Sequence, residues 1–158
     1  MSTLSTPRST RMAIMAETAT EIITIDAPHE RVWQIALDLE SYPVWAHDIK
    51  DVNIRATDDL GRPLEVEFRA SALGRSTHYT LKYDYTNAPF AMGWTMLTGD
   101  IQRSIDGVWR FDPDGGDRTT VRYDLQIDLA IPLPGFVKRR AEVRILNTVR
   151  ELKVRAEA

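Results

Sequence analysis

Few side chains in this sequence could do acid–base chemistry, and histidine is the scarcest of them. The chain has three histidines. Only His47, which follows Trp45 between a predicted helical turn and a strand, stands where an imidazole could act beside a bound molecule. We expect His47 to be a surface residue that caps a turn; the alternative is an acid or base at the mouth of a pocket. His29 opens a predicted helix and His78 lies on the polar phase of a strand, so both are expected to face solvent.

No sequence motif indicates a metal, a nucleotide or a nucleophile. The chain has no cysteine, which removes disulfides, zinc–thiolate sites and thiol nucleophiles together. HExxH, CxxC, P-loop and GxGxxG patterns do not occur, and carboxylates such as Asp48, Asp51 and Glu65 lack the spacing of metal ligands. We therefore expect neither a metal nor a nucleotide cofactor.

Large aromatic side chains, most of them on predicted strands, are the better indication of function. A core built only for stability favours Leu, Ile and Val, because each buried phenol or indole needs a hydrogen-bond partner. Polar tips on an apolar wall are what a cavity uses to orient a small molecule. The alternative is that the rings fill a tightly curled sheet and their hydroxyls reach solvent at its rim. The candidate ligand-binding residues are Trp45, Phe68, Tyr79, Tyr83, Trp94, Trp109 and Tyr123.

A sheet must position these aromatic residues, and the sequence predicts its strands. A β-branched run at 19–25 leads into a helix that opens at Pro28, with Asp26 as its cap. Six short runs with alternating apolar and polar residues follow, separated by turn signals such as those at 58–61 and 112–116. Sequential strands with this alternation predict an antiparallel meander with one polar and one apolar face.

From Phe136 the apolar period becomes helical and continues for about five turns. Such a helix must lay its apolar stripe on the apolar face of the sheet. The predicted fold is therefore α+β, with a curved antiparallel sheet wrapped around a long C-terminal helix in one domain, 17–158. Residues 1–16 are rich in Ser and Thr and contain no acid, which predicts a disordered tail, with a short transit peptide as the alternative.

Composition limits the partners. The 158 residues include 20 Lys and Arg against 23 Asp and Glu, a net charge of -3, so no overall basic field exists to hold nucleic acid. No apolar run approaches the roughly 20 residues of a membrane span. We expect a soluble, cytoplasmic protein. The sequence gives no indication of oligomeric state.

Basic residues on the predicted last helix offer one different reading, an anion site for a lipid headgroup or ribosomal RNA. The favoured interpretation is a solvated helix face with interspersed glutamates and no specific ligand. The residues concerned are Lys138, Arg139, Arg140, Arg144 and Arg150.

The order of elements and several local strings resemble the START-like (SRPBCC) superfamily. The matching strings are Ile23–Pro28 followed by Glu30–Trp33, Asp38–Pro43 with Trp45, and Ile131–Phe136 leading into Lys138–Arg140. The chain is most similar to the polyketide cyclase/dehydrase and coenzyme Q-binding START-domain families, and among them to small actinobacterial members. The resemblance implies the helix-grip, or Bet v 1-like, fold with a hydrophobic tunnel between the sheet and the last helix.

The resemblance also suggests where catalysis would be sought. In similar aromatase/cyclases, an inward arginine and aromatic residues position a poly-β-ketone, but the corresponding position here is Tyr83. Arg69 and Arg110 lie on polar phases and are expected to point outward unless a bulge intervenes. The weak catalytic candidates are therefore Tyr83, His47 and Arg69.

Binding without turnover is favoured by this departure from the family pattern. The leading hypothesis is a carrier or chaperone that holds a lipid, quinone or polyketide-like molecule in an internal cavity. The alternative is a polyketide aromatase/cyclase or dehydratase. A third reading, a ribosome-associated START-like protein, comes from similar proteins that bind ribosomes.

Overall fold

A computed structural model of the chain describes residues 16–72, 74–130 and 147–158. The described residues form seven strands, three α-helices and one 3-10 turn. The strands are β1 (Ala16–Ile25), β2 (Ile49–Thr57), β3 (Pro63–Ala72), β4 (Arg75–Asp84), β5 (Ala91–Gly99), β6 (Gln102–Pro113) and β7 (Thr119–Leu129). The helices are α1 (His29–Leu37), the 3-10 turn (Leu39–Ser41), α2 (Tyr42–Trp45) and α3, residues 147–157.

The seven strands form one antiparallel sheet in the order β1-β7-β6-β5-β4-β3-β2. Its side chains alternate between an exposed face and a face that carries the buried residues, which we call the inner face. On β7, for example, Val121, Tyr123 and Leu125 are buried while Arg122 is exposed. The predicted meander with one polar and one apolar face is confirmed.

The start of α1 differs from the prediction. Pro28, not Asp26, stands at the N-cap position, and no side chain caps the helix. The backbone N–H of Asp26 instead donates to Glu157 Oε2 at 2.7 Å, so this residue joins α1 to the end of the chain. The predicted cap is wrong because Asp26 lies two residues before the N-cap position.

The core lies between the inner face of the sheet and the helices. Val32, Trp33 and Ala36 of α1 are buried there. Val149 and Leu152 of α3 are fully buried in the same cluster, which is the contact that the helical stripe predicted.

Arg31 on α1 holds the end of α3. Its Nε donates to the carbonyl of Ala156 at 2.6 Å, and its Nη2 donates to the carbonyls of Arg155 and Ala158 at 3.3 Å each. The last carbonyls of a helix lack partners within the helix, and a cation there also interacts favourably with the negative end of the helix dipole. The guanidinium therefore satisfies the C-terminal end of α3.

Some predicted features lie outside the described residues. These are nearly all of the tail at 1–16 and residues 131–146, where the sequence places Ile131–Phe136, the start of the last helix and most of its basic cluster. The division of the chain into a tail and one domain stays a prediction. No helix among the described residues is long and apolar enough to span a membrane.

We predict that Arg31→Ala lowers the free energy of unfolding by about 1–3 kcal/mol, because three carbonyls lose a charged donor. Urea denaturation followed by circular dichroism measures the loss. Arg55→Ala is the matched control: Arg55 makes one exposed ion pair, with Glu67 at 3.1 Å, and its removal should cost less than about 1 kcal/mol. Equal losses for the two variants would contradict the assigned role of Arg31.

Candidate functional site

The structure places the predicted ligand-binding residues on the inner face of the sheet or against it. All are buried except Tyr79, which is partly buried. They contribute to an aromatic wall, by which we mean Phe68, Tyr79, Tyr83, Trp94, Trp109 and Tyr123. Trp45 belongs to α2, and its ring contacts Tyr42 at a centroid distance of 4.8 Å.

Four rings of the aromatic wall form a continuous cluster. The centroids of Trp109 and Tyr123 are 4.3 Å apart, and Trp94 lies 5.8 Å from Tyr123 and 5.9 Å from Tyr83. The other two rings, Phe68 and Tyr79, stack at 5.4 Å. Such contacts stabilise aromatic pairs beyond their buried area and keep the rings in fixed positions.

Gly107 is the residue that makes room for Trp94. The two residues are cross-strand partners, and a Cβ atom on Gly107 would lie 2.4 Å from the indole ring. A glycine within a strand often marks such a close approach, so the run Ile105–Trp109 carried a signal that the aromatic pattern alone missed.

The tyrosine hydroxyls divide into two groups. Tyr42 donates to the carbonyl of Ala36, and Tyr85 donates to the carbonyl of Pro63, each at 2.5 Å. The hydroxyls of Tyr79, Tyr83 and Tyr123 have no hydrogen-bond partner among the described residues. The first two tyrosines therefore brace the backbone, whereas the other three are candidate donors to a bound molecule.

Burial raises the pKa of all five tyrosines above the ordinary value of 10. For Tyr83 the neighbouring Tyr42 and Tyr79 raise the pKa further, and for Tyr79 the carboxylate of Asp48 does so. Phenols with such raised pKa values stay protonated at neutral pH. They can donate hydrogen bonds but cannot act as bases.

The indole nitrogen of Trp45 adds one more unsatisfied donor. This Nε1 is buried and has no partner among the described residues. A buried N–H without an acceptor is costly, which makes this atom a further candidate donor to a bound molecule.

The other two catalytic candidates lie away from the aromatic wall. The side chain of His47 is 82% exposed, and its Nδ1 lies 2.5 Å from Glu151 Oε2 on α3. The exposure predicted for His47 is confirmed, although its partner is a helix side chain rather than a turn. Arg69 is 41% exposed and lies 3.9 Å from Asp51, so its outward orientation is also confirmed.

None of the three histidines lies on the aromatic wall. His78 is on the exposed face and 3.8 Å from Asp100, and the Nε2 of His29 lies 2.9 Å from the carbonyl of Pro89. Within the described ranges, no group of three His, Asp or Glu side chains could hold a metal ion.

One open pocket of about 780 Å³ lies across the middle strands. Its lining combines Tyr83, Tyr85 and Trp94 with charged residues of the exposed face, among them Lys82 and Asp106. This mixed, open pocket is not the enclosed apolar cavity that the sequence predicts. The enclosed cavity stays a prediction, because residues 136–146, which the sequence assigns to the last helix, lie outside the described residues.

Comparison with known proteins supplies the decisive observation. The family model for polyketide cyclase/dehydrase and lipid transport matches residues 15–155. The chain belongs to this family. No protein of curated function matches the sequence significantly.

Solved structures of the same architecture bear out the fold. A START superfamily protein from Mycobacterium smegmatis has 24% identity and a TM-score of 0.81, over 89% of this chain and 97% of the other. The Zhui aromatase/cyclase from Streptomyces sp. R1128 has 16% identity and a TM-score of 0.76, over 90% and 94%. A protein from Thermus thermophilus has 22% identity and a TM-score of 0.74, over 88% and 96%. The chain has the predicted helix-grip fold.

Membership of the polyketide cyclase/dehydrase and lipid transport family confirms the resemblance read from the sequence. The family description covers both catalysis and transport, so it supports a fold that binds hydrophobic molecules without deciding between the two. That decision rests on the chemistry of the aromatic wall.

We predict that Gly107→Ala lowers the free energy of unfolding by about 1–3 kcal/mol and shifts the tryptophan emission spectrum, because the new methyl group displaces the Trp94 indole. Gly93→Ala on β5 is the control. A Cβ there meets only the carbonyl oxygen of Gly107, at an ordinary 3.6 Å. Comparable destabilisation by both substitutions would show that Gly107 has no special role in seating Trp94.

We also predict that stability falls steeply in alkali. The unfolded chain releases its tyrosine protons near pH 10, whereas the folded chain retains them, so unfolding is favoured as pH rises. Each buried tyrosine should contribute about 1.4 kcal/mol per pH unit above that point. Urea unfolding between about pH 8 and pH 11, with tyrosinate absorbance recorded in parallel, tests this. Tyrosinate absorbance that develops near pH 10 in the folded protein would contradict it.

Proposed function

We propose that the protein is a non-catalytic carrier or chaperone for a hydrophobic small molecule, such as a lipid, a quinone or a polyketide-like compound. One observation carries the proposal: three tyrosine hydroxyls without partners among the described residues stand on a wall of packed aromatic rings. We further propose that the protein acts in the cytoplasm, in line with its lack of cysteine.

The chemistry of the hydroxyls indicates the kind of guest. Because burial raises the pKa of Tyr79, Tyr83 and Tyr123, each remains a neutral donor at physiological pH. A guest that satisfies them must carry hydrogen-bond acceptors, as the carbonyls of a quinone, a polyketide or an acyl chain do. The flat rings around the donors supply the apolar contact area that binds the rest of the guest.

The same chemistry argues against turnover. General base catalysis needs a group that can take a proton near neutral pH within reach of the substrate. His47 is exposed and paired with Glu151, Arg69 points outward, and Tyr83 is held protonated. Among the described residues, the wall therefore offers donors and no histidine base.

A polyketide aromatase/cyclase or dehydratase is the second candidate, favoured by the fold shared with the Zhui aromatase/cyclase. Here Tyr83 would donate to an enolate oxygen, in the position where similar cyclases carry an arginine. The test is the product profile of a polyketide synthase reconstituted with this protein. Unchanged products after Tyr83→Phe and His47→Ala would reject this candidate. The third reading, ribosome association, depends mainly on residues 138–144, which lie outside the described residues.

The carrier proposal predicts preference for a ligand that has acceptor oxygens. Titrations of tryptophan fluorescence with anthraquinone and with anthracene compare two flat molecules that differ in their carbonyl groups. We expect Tyr83→Phe and Tyr123→Phe each to weaken anthraquinone binding roughly three- to tenfold and to leave anthracene binding unchanged, because each removes one donor.

Tyr85→Phe is the matched control for this series. Its hydroxyl is already bound to the carbonyl of Pro63, so the substitution should lower stability without changing affinity for either probe. The proposal fails if neither probe binds, or if the three variants change anthraquinone affinity equally.

A further inference from the structure

A pair of buried polar side chains, Thr77 and Gln102, lies at one end of the sheet. Thr77 is 1% exposed and follows the same inward alternation on β4 as Tyr79 and Tyr83. Gln102 begins β6 and is 8% exposed. Both stand beyond the aromatic cluster, towards the turn between β5 and β6.

The pair is held in a fixed orientation by Asp100. The Asp100 carboxylate accepts the Thr77 hydroxyl, the backbone N–H of His78 at 2.8 Å and that of Ile101 at 2.6 Å. Since the Thr77 hydroxyl uses its one hydrogen to donate to Asp100, Oγ1 can only accept from Gln102, and Gln102 Nε2 donates to it at 3.0 Å. The amide of Gln102 is thereby fixed with its oxygen pointing away from Thr77.

That oxygen is unsatisfied. Gln102 Oε1 is buried and has no hydrogen-bond partner among the described residues. Unpaired buried acceptors are uncommon in native proteins, and here Thr77 and Asp100 hold the amide in place. A buried carbonyl oxygen that is held in a fixed orientation and lacks a donor can accept a hydrogen bond from a ligand hydroxyl.

A flexible side chain, Met96, lies beside this oxygen. A Cβ atom on Gly99 would lie 2.8 Å from both Gln102 Oε1 and Met96 Sδ, so the glycine leaves room for these two side chains side by side. Met96 is only partly buried, and a methionine side chain changes shape at little cost. Movement of the Met96 thioether would open one side of the amide oxygen to a guest hydroxyl.

We infer that Gln102 Oε1 accepts a hydrogen bond from a hydroxyl group of the ligand, and that the ligand is an elongated molecule with a carbonyl at one end and a hydroxyl at the other. This inference rests on the proposed carrier function. Thr77, which binds the amide, and Tyr83 are six residues apart on one strand, so their Cα atoms lie roughly 20 Å apart. A long-chain hydroxyacyl compound or an extended hydroxylated polyketide has this length and polarity.

Two esters test the inference. Methyl hexadecanoate and methyl ω-hydroxyhexadecanoate share an acceptor carbonyl and a chain of suitable length, and only the second carries a terminal donor. Their dissociation constants are measured by displacement of bound anilinonaphthalene sulfonate, and the ratio between the two esters is compared across variants. This ratio cancels changes that affect both esters alike. In Gln102→Met, a substitution of similar shape, we expect the ratio to shift about tenfold against the hydroxy ester.

Gln126→Met is the matched control, because Gln126 is an exposed glutamine on β7 and its loss should leave the ratio unchanged. If both esters bind and Gln102→Met leaves their ratio unchanged, the inference is wrong and the carrier function stands. If neither ester displaces the dye from the unaltered protein, the carrier proposal itself fails for acyl ligands, and the inference with it.

Discussion

The attachment of the last helix to the first is the contact on which the inner face depends. Arg31 binds the final carbonyls of α3, and Lys153 and Glu157 of α3 bind the backbone of Thr24 and Asp26 in return. Each contact satisfies a backbone group at the end of one element with a charged side chain from another. Because these contacts lie at the junction of β1 and α1, they hold the apolar stripe of α3 against the sheet. Val149 and Leu152 are buried in the same core as the sheet residues, so α3 covers part of the inner face.

Given that cover, the alternation of an antiparallel ladder decides which side chains face inward. The ladder places Tyr83, Trp94, Gly107 and Leu125 in one cross-strand row, and the glycine lets the indole lie flat within it. Packing therefore fixes the positions of the rings, but it does not determine which hydroxyls have hydrogen-bond partners. The hydroxyls of Tyr42 and Tyr85 bind backbone carbonyls, which shows that a buried tyrosine in this fold can find a partner. Burial alone therefore does not explain why the other three hydroxyls lack partners among the described residues. Two tyrosines thus brace the backbone, and the other three present hydroxyls without partners among the described residues.

Sequence periodicity predicted the strands, their order and the inward aromatic residues, because alternation is a local property that survives folding. Strand phase also placed Arg69 outside, and the exposure of His47 followed from its position in a turn. The Asp26 cap was wrong because Pro28 occupies the N-cap position, and no local pattern showed that Glu157, from the far end of the chain, would bind the Asp26 backbone N–H. The same limit hid the Gln102 amide. Its orientation depends on Asp100 and Thr77, which a turn and a strand pairing bring together, and no pattern along the chain records that meeting.

Desolvation bears on the choice between carrier and catalyst, because it acts differently on tyrosines and on side chains that carry a charge. Desolvation on the inner face raises the pKa of the tyrosines further above their ordinary value of 10, so they stay neutral donors into the alkaline range as well as at physiological pH. The same desolvation would penalise a protonated histidine or an ionised carboxylate unless a partner charge accompanied it. The described inner face carries no such pair on the aromatic wall, and the histidines and Arg69 lie outside it. In the proposed carrier, the neutral donors of the wall and the neutral Gln102 acceptor beyond it would recognise the oxygens of a guest. Because none of these groups changes its charge near neutral pH, the wall suits the carrier role that we propose better than it suits proton transfer.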